Sequence, residues 1–149
     1  MISEAALPFT RKVVDSLHVE AMVLADEARS YFDRAGLGDR SSLDPTTRVI
    51  FSCEALKVTT RLMHGVAWLL AQRTTASGEM APRVTARLGR ATTTDAATLA
   101  GLPFEAQHII GMSEDLYGRI ARLDGQMQAS TRGTVSPAHS LLRELERAF

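Results

Sequence analysis

Residues 44–72 read DPTTRVIFSCEALKVTTRLMHGVAWLLAQ, and this stretch decides the fold class. Asp44 is a good N-cap because its carboxylate can accept from the free amides of a first helical turn. Pro45 fits the first helical position, where a missing N–H costs nothing. Phe51, Ala55, Val58, Leu62, Gly65 and Leu69 recur at alternating four- and three-residue spacing, which places them on one helical face. The pattern continues to Ser77 and Gly78, a stop signal. At about 1.5 Å per residue the predicted helix is roughly 50 Å long, more than a small core needs alone. It must lie along other long helices.

Working outward, the spacing of Val14, Leu17, Ala21, Leu24, Ala28 and Tyr31 predicts a first helix over about 10–35. Val13 and Phe32 widen its apolar face. Gly36 and Gly38 are expected to end it, Gly36 through a left-handed closing residue. The short polar connection to Asp44 makes the second helix fold back antiparallel. Ile109, Met112, Leu116, Ile120, Leu123 and Met127 predict a third helix over about 103–130. Ser136 and Pro137 open a short fourth over 137–148, with Leu141, Leu142, Leu145 and Phe149 on one side. Residues 78–103, rich in Thr and Ala with no clear period, read as a mobile loop with one or two helical turns near Pro82–Leu88. No alternating strand pattern or hairpin signal occurs. The reading is all-α: an antiparallel three-helix bundle with short extra helical segments, one domain over 1–149.

The chain of 149 residues carries 17 basic and 17 acidic side chains. Zero formal net charge gives no basic excess for nucleic acid and no acidic tail. Cys53 is the lone cysteine, which excludes an intrachain disulfide and suits a reducing cytoplasm; within an apolar helix it reads as a small core residue. The N-terminus lacks the pattern of a signal peptide. The longest apolar run, Val66–Ala71, is far short of the roughly 18 residues a membrane span needs.

The chain carries few signatures of chemistry. His18, His64, His108 and His139 fall on predicted helices without metal-ligand spacing. Glu105 and His108 form one Glu-x-x-His pair, whereas a di-metal bundle needs two such pairs and two further glutamates. No phosphate-binding loop or nucleophile elbow occurs. Arg48, Lys57, Arg61 and Arg73 alternate with Glu54, and Arg119 and Arg122 with Asp115 and Asp124, as on charge-paired helical surfaces. The residues assign no catalytic group, metal or cofactor. Trp68, the sole tryptophan, reads either as core or as the edge of an interaction groove. Thr59 and Thr60 are poor helix formers, serving either carbonyl bonds or a close helix contact.

One family enters at Ser52–Arg73. Ser52, Glu54, Leu56, Thr59, Thr60, Arg61, Leu62 and Met63, followed by Trp68, Leu69, Leu70, Gln72 and Arg73, resemble the RcdA family, regulators of CtrA degradation in the bacterial cell cycle. Asp15, Leu17, Glu20, Met22, Glu27, Ala28 and Tyr31–Asp33 match its opening segment; Leu116, Tyr117 and Arg119–Asp124 match its ending. The resemblance implies a three-helix bundle, often dimeric, without catalytic residues. It implies an adaptor that helps the ClpXP protease receive protein substrates together with a response-regulator-like partner.

The combined expectation is a cytoplasmic, homodimeric, non-enzymatic adaptor acting by tethering; the alternative is a helical transcriptional regulator or another interaction module. Partner contact is expected on the second helix, at Glu54, Lys57, Thr59, Thr60, Arg61, Trp68 and Gln72, with exposed faces around Glu54, Lys57, Arg61 and Gln72.

Overall fold

A computed structural model describes residues 6–76, 88–90, 92–133 and 137–148. The expected stop at Ser77 and Gly78, most of the turns at Pro82–Leu88, the Ser136 cap and Phe149 lie outside the described residues. Among those described there is no strand. Helices α1 (Ala6–Ser30), α2 (Gly36–Ser41), α3 (Pro45–Ala76), α4 (Ala96–Ala100), α5 (Phe104–Gly133) and α6 (Pro137–Ala148) carry the fold, with a π-helical turn, Tyr31–Ala35, joining α1 to α2.

The α1 seam is buried throughout, from Val14 to Tyr31, and so are Phe51, Val58, Leu62, Gly65 and Leu69 of α3. Each fully buried Val, Leu or Ile contributes about 1.5–3 kcal/mol of transfer free energy. Tyr31, Phe32 and Phe51 pack edge to face, with centroids 5.1–6.2 Å apart. In α5 the seam departs from expectation at one position. Met112 is exposed, and Ser113 takes the buried place between Ile109 and Leu116. Trp68 is buried in the core.

The end of the first helix is also corrected. Gly36 is right-handed, with φ −69° and ψ −15°, and helix continues to Ser41. The π turn directs the Gly36 amide to the Tyr31 carbonyl oxygen, which would lie 2.7 Å from a Cβ at position 36. Glycine here supplies close approach, not a left-handed stop. The Tyr31 hydroxyl donates to Asp39 at 2.8 Å. Arg48 then reaches back from α3 to the carbonyls of Arg40, Ser41 and Leu43, at 3.3, 3.3 and 3.0 Å. The Arg40 carbonyl also accepts the Leu43 amide at 3.1 Å; the other two are acceptors that a helix end leaves without an intrahelical partner. Asp44 caps α3 as expected, accepting from the Thr47 amide at 3.2 Å.

Helix directions follow from the pairings. Asp15 meets Arg73, while Phe32 meets Phe51, so α1 and α3 are antiparallel. Glu20 meets Arg119, and Leu17 and Leu123 line one cleft, while Glu105 acts on Tyr31; α1 and α5 are antiparallel too. Arg61 meets Ser113, and Gly65 faces Ile120, so α3 and α5 run the same way. The chain must therefore travel back along the bundle between them. Leu88, Gly89, Thr92 and Thr94 mark that return.

Candidate functional site

The return segment explains the unusual polar residues of α3. Arg61 is 4% exposed and Glu54 3% exposed; the expectation that both lie on an exposed face is corrected. The Arg61 Nε donates to the Thr92 carbonyl at 3.0 Å and its Nη1 to Ser113 Oγ at 3.2 Å, and its Nη2 reaches the Thr92 carbonyl and, at 3.4 Å, Glu114. Glu114 accepts the Thr94 amide at 2.7 Å. Glu54 takes the Thr94 hydroxyl on one oxygen and Lys57 Nζ, at 2.8 Å, on the other. A buried guanidinium is tolerated because its donors are met and a carboxylate stands opposite. Further along, Tyr117 donates to the Gly89 carbonyl and the Leu88 amide donates to Asp124 at 3.3 Å. Burial, followed by the charge of Asp124, pushes the Tyr117 phenol above its ordinary value. Residues 92–95 are thus an extended strap bound by main-chain contacts, and Asp95 caps α4 through the Thr98 amide at 2.9 Å. This part of the expected loop lies against α3 and α5. Its anchors come from α3 and α5, so the segment's own composition could not reveal them.

The other expected residues separate. Thr59 and Thr60 are exposed, their hydroxyls bonded to the carbonyls of Ala55 and Leu56 at 3.0 and 2.9 Å. Gln72 is half-buried. Glu54, Lys57 and Arg61 are brought together; Trp68 and Gln72 are not part of that cluster. Cys53, expected in the core, is exposed. Glu105 and His108 are both exposed, and no group of three or more metal-ligating side chains occurs among the described residues. No helix among them is long and apolar enough to cross a membrane.

Among the described residues, two concave surfaces border α3. Between α1 and α3 lies an apolar groove of about 610 Å³ floored by Met22, Phe32, Leu62, Met63, Val66 and Leu70. Methionine side chains adapt to varied partners, which suits such a surface. On the other side of α3 a smaller concavity, about 250 Å³, is lined by Lys57, Thr60, Arg61, His64 and Arg90, with Leu56 and Tyr117 beside them.

A family model described as a protein of unknown function, DUF1465, matches residues 6–149. The chain belongs to the DUF1465 family. No curated protein matches it. Among solved structures, this DUF1465 chain is similar to RcdA from Caulobacter crescentus, at 33% identity and a TM-score of 0.64, over 76% of this chain and 89% of that one. The RcdA-like resemblance carried by Ser52–Arg73 is therefore shown. Within this DUF1465 fold, Glu54, Arg61, Trp68 and Leu69 of that motif are interior.

Proposed function

We propose that the chain is a non-enzymatic adaptor that assists regulated proteolysis, presenting protein substrates to ClpXP in bacterial cell-cycle control. The observation that carries this reading is the likeness to RcdA across most of both chains. The polar cluster is consistent with it. Its charged groups are spent holding a strap of the same chain, and an adaptor needs surfaces more than reacting groups. The mechanism is tethering: a substrate held beside the protease meets it at a raised effective concentration, without new chemistry. A response-regulator-like protein is the expected co-partner, the cytoplasm the expected compartment, and a homodimer the expected form. The groove between α1 and α3 is the apolar face available for self-association. Of the expected contact residues, Lys57, Thr59, Thr60 and Gln72 are left to touch partners, while Glu54, Arg61 and Trp68 shape the surface from below.

The test is a reconstituted degradation assay with ClpXP and candidate cell-cycle substrates, alongside a pull-down of the protease and the response regulator. Faster substrate turnover on adding the purified chain is expected. Unchanged turnover together with no capture of any component removes the adaptor reading.

A further inference from the structure

The apolar face of α6 is open. Leu141, Leu142 and Leu145 share it, and they stand 58, 56 and 55% exposed. None of them enters the buried core. A helix of 12 residues is marginal in water without a packed face, so this one needs a cover. At about 100° per residue, Glu144 and Glu146 flank the leucines on opposite edges. Positions 143 and 147, both arginine, fall on the far side.

The cleft between α1 and α5 has the matching pattern. Val13, Leu17 and Leu123 give it an apolar floor, and its walls carry Lys12 from α1 and Arg122 from α5. Both cations are exposed and have no polar partner among the described residues. The acids around them are already held. Arg119 takes both oxygens of Glu20 and reaches Asp115 at 3.0 Å, and Arg73 takes Asp15 at 3.1 Å. The larger groove between α1 and α3 lacks this pattern. Its charged residues, Arg29 and Asp33, are of opposite sign, and no residue of α5 lines it.

We infer that α6 folds back along α5 of its own chain and seats its leucines in this cleft, with glutamates at both edges facing the cationic walls. Reach permits it. Only residues 134–136 separate Gly133 from Pro137, a joint that spans at most about 10 Å. Folded back, Leu145 lies about 12 Å from the joint, level with Gly125 of α5. The antiparallel pairing of Glu20 with Arg119 sets Lys12 level with Met127. Glu144 and Glu146 then each fall within about one turn of Lys12 and Arg122, close enough for charge-assisted hydrogen bonds. The structure holds α6 released, with its leucines open. Seated, the helix covers Lys12 and Arg122 and withdraws its own apolar face from partners.

The experiment is hydrogen exchange of the full chain, read by mass spectrometry on peptides from α6 at several protein concentrations. Wild-type α6 is expected to exchange roughly tenfold more slowly than α6 of Leu145→Glu, the factor that burial of one leucine supplies. Glutamate and leucine are similar helix formers, so the difference reports packing. Exchange in the middle of α3 checks that each variant keeps the bundle. Lys12→Glu combined with Arg122→Glu is expected to quicken α6 exchange. Adding Glu144→Lys and Glu146→Lys to that pair is expected to restore the protection. Equal α6 exchange in wild type and Leu145→Glu overturns the seat. Protection that Lys12→Glu with Arg122→Glu leaves unchanged, but Met63→Glu removes, overturns the cleft and places α6 in the groove between α1 and α3. Protection that the added lysines fail to restore overturns the charge matching. Protection that falls on dilution overturns docking within one chain and assigns α6 to a second copy.

Discussion

Arg61 is the charged side chain on which the interior polar cluster is built. Its guanidinium holds the Thr92 carbonyl, Ser113 and Glu114 in a place almost closed to water. Replacing it with Met strips the Thr92 carbonyl of its donor and removes the cation opposite Glu114, which keeps only the Thr94 amide. Breaking a buried pair from one side costs about 3–5 kcal/mol, and the lower end applies because Glu114 keeps 26% exposure; urea unfolding measures it. The sequence showed Arg61 in an apolar helix but not what surrounds it, since its partners stand 31 and 52 residues away. Ser113 escaped notice for the same reason. Read for apolarity, the spacing prefers Met112, while the fold needs a small hydroxyl opposite Arg61. Glu20 gives the pH dependence. The hydrogen bond from Arg119 holds its carboxyl below the usual value, partly offset by burial. As pH falls, the unfolded chain takes up this proton first. The contribution is therefore complete above about 4.5 and is lost as pH drops through the lowered folded value. Glu20 is 38% exposed, so solvent screening keeps the effect below about 1 kcal/mol. Urea titrations from neutral to acid pH should show a shallower acid loss in Glu20→Gln than in wild type. Asp44 and Asp95, lowered by their bonds to Thr47 and Thr98, supply the acid dependence that persists.

Elements were legible in proportion to their periodicity. All six seam residues of the first helix are buried, because a three- and four-residue repeat has one way to hide its apolar atoms. The end of that helix was not legible, because Gly36 and Gly38 look alike in sequence and differ in surroundings. A Cβ at Gly36 would meet the Tyr31 carbonyl and ring, whereas at Gly38 it would meet nothing within 4 Å. Gly36→Ala is expected to destabilise by about 1–3 kcal/mol through overpacking. Gly38→Ala is expected to stabilise by about 0.5 kcal/mol by restricting the unfolded chain. Thermal melts of the two variants should shift in opposite directions. The strap shows the converse limit. Residues 92–95 carry no core pattern, yet their amide and carbonyl groups are read by α3 and α5. Asp95→Ala removes the α4 cap, and hydrogen exchange at the Thr98 amide is expected to quicken several-fold while exchange in the middle of α3 stays as it was.

For the whole molecule, the apolar groove between α1 and α3 is the surface on which self-association is expected. Met63 lies on it at 65% exposure, so Met63→Glu places a charge there without opening the core. Light scattering is expected to show a dimer for wild type and a shift toward monomer for the variant. A charge buried at an interface without a partner weakens association by about tenfold or more. A wild-type monomer at the same concentration removes the dimer from the reading. The seams made the three long helices legible in sequence, but their relative directions were only partly so. The α1–α3 reversal follows from a short connection, whereas the common direction of α3 and α5 depends on a long one. That difference bears on how the chain folds. The α1–α3 hairpin closes over a few residues and its contacts are local in its turn region, so it can assemble early. Docking α5 requires closing a far longer loop, whose entropy must be met before the Arg61–Ser113 and Gly65–Ile120 contacts return anything. Substitutions in the Tyr31–Phe32–Phe51 cluster should therefore slow folding, while those at Ile120 should chiefly speed unfolding. The strap, anchored by groups of both α3 and α5, is therefore expected to set last and let go first, as hydrogen exchange at the Thr94 amide would report.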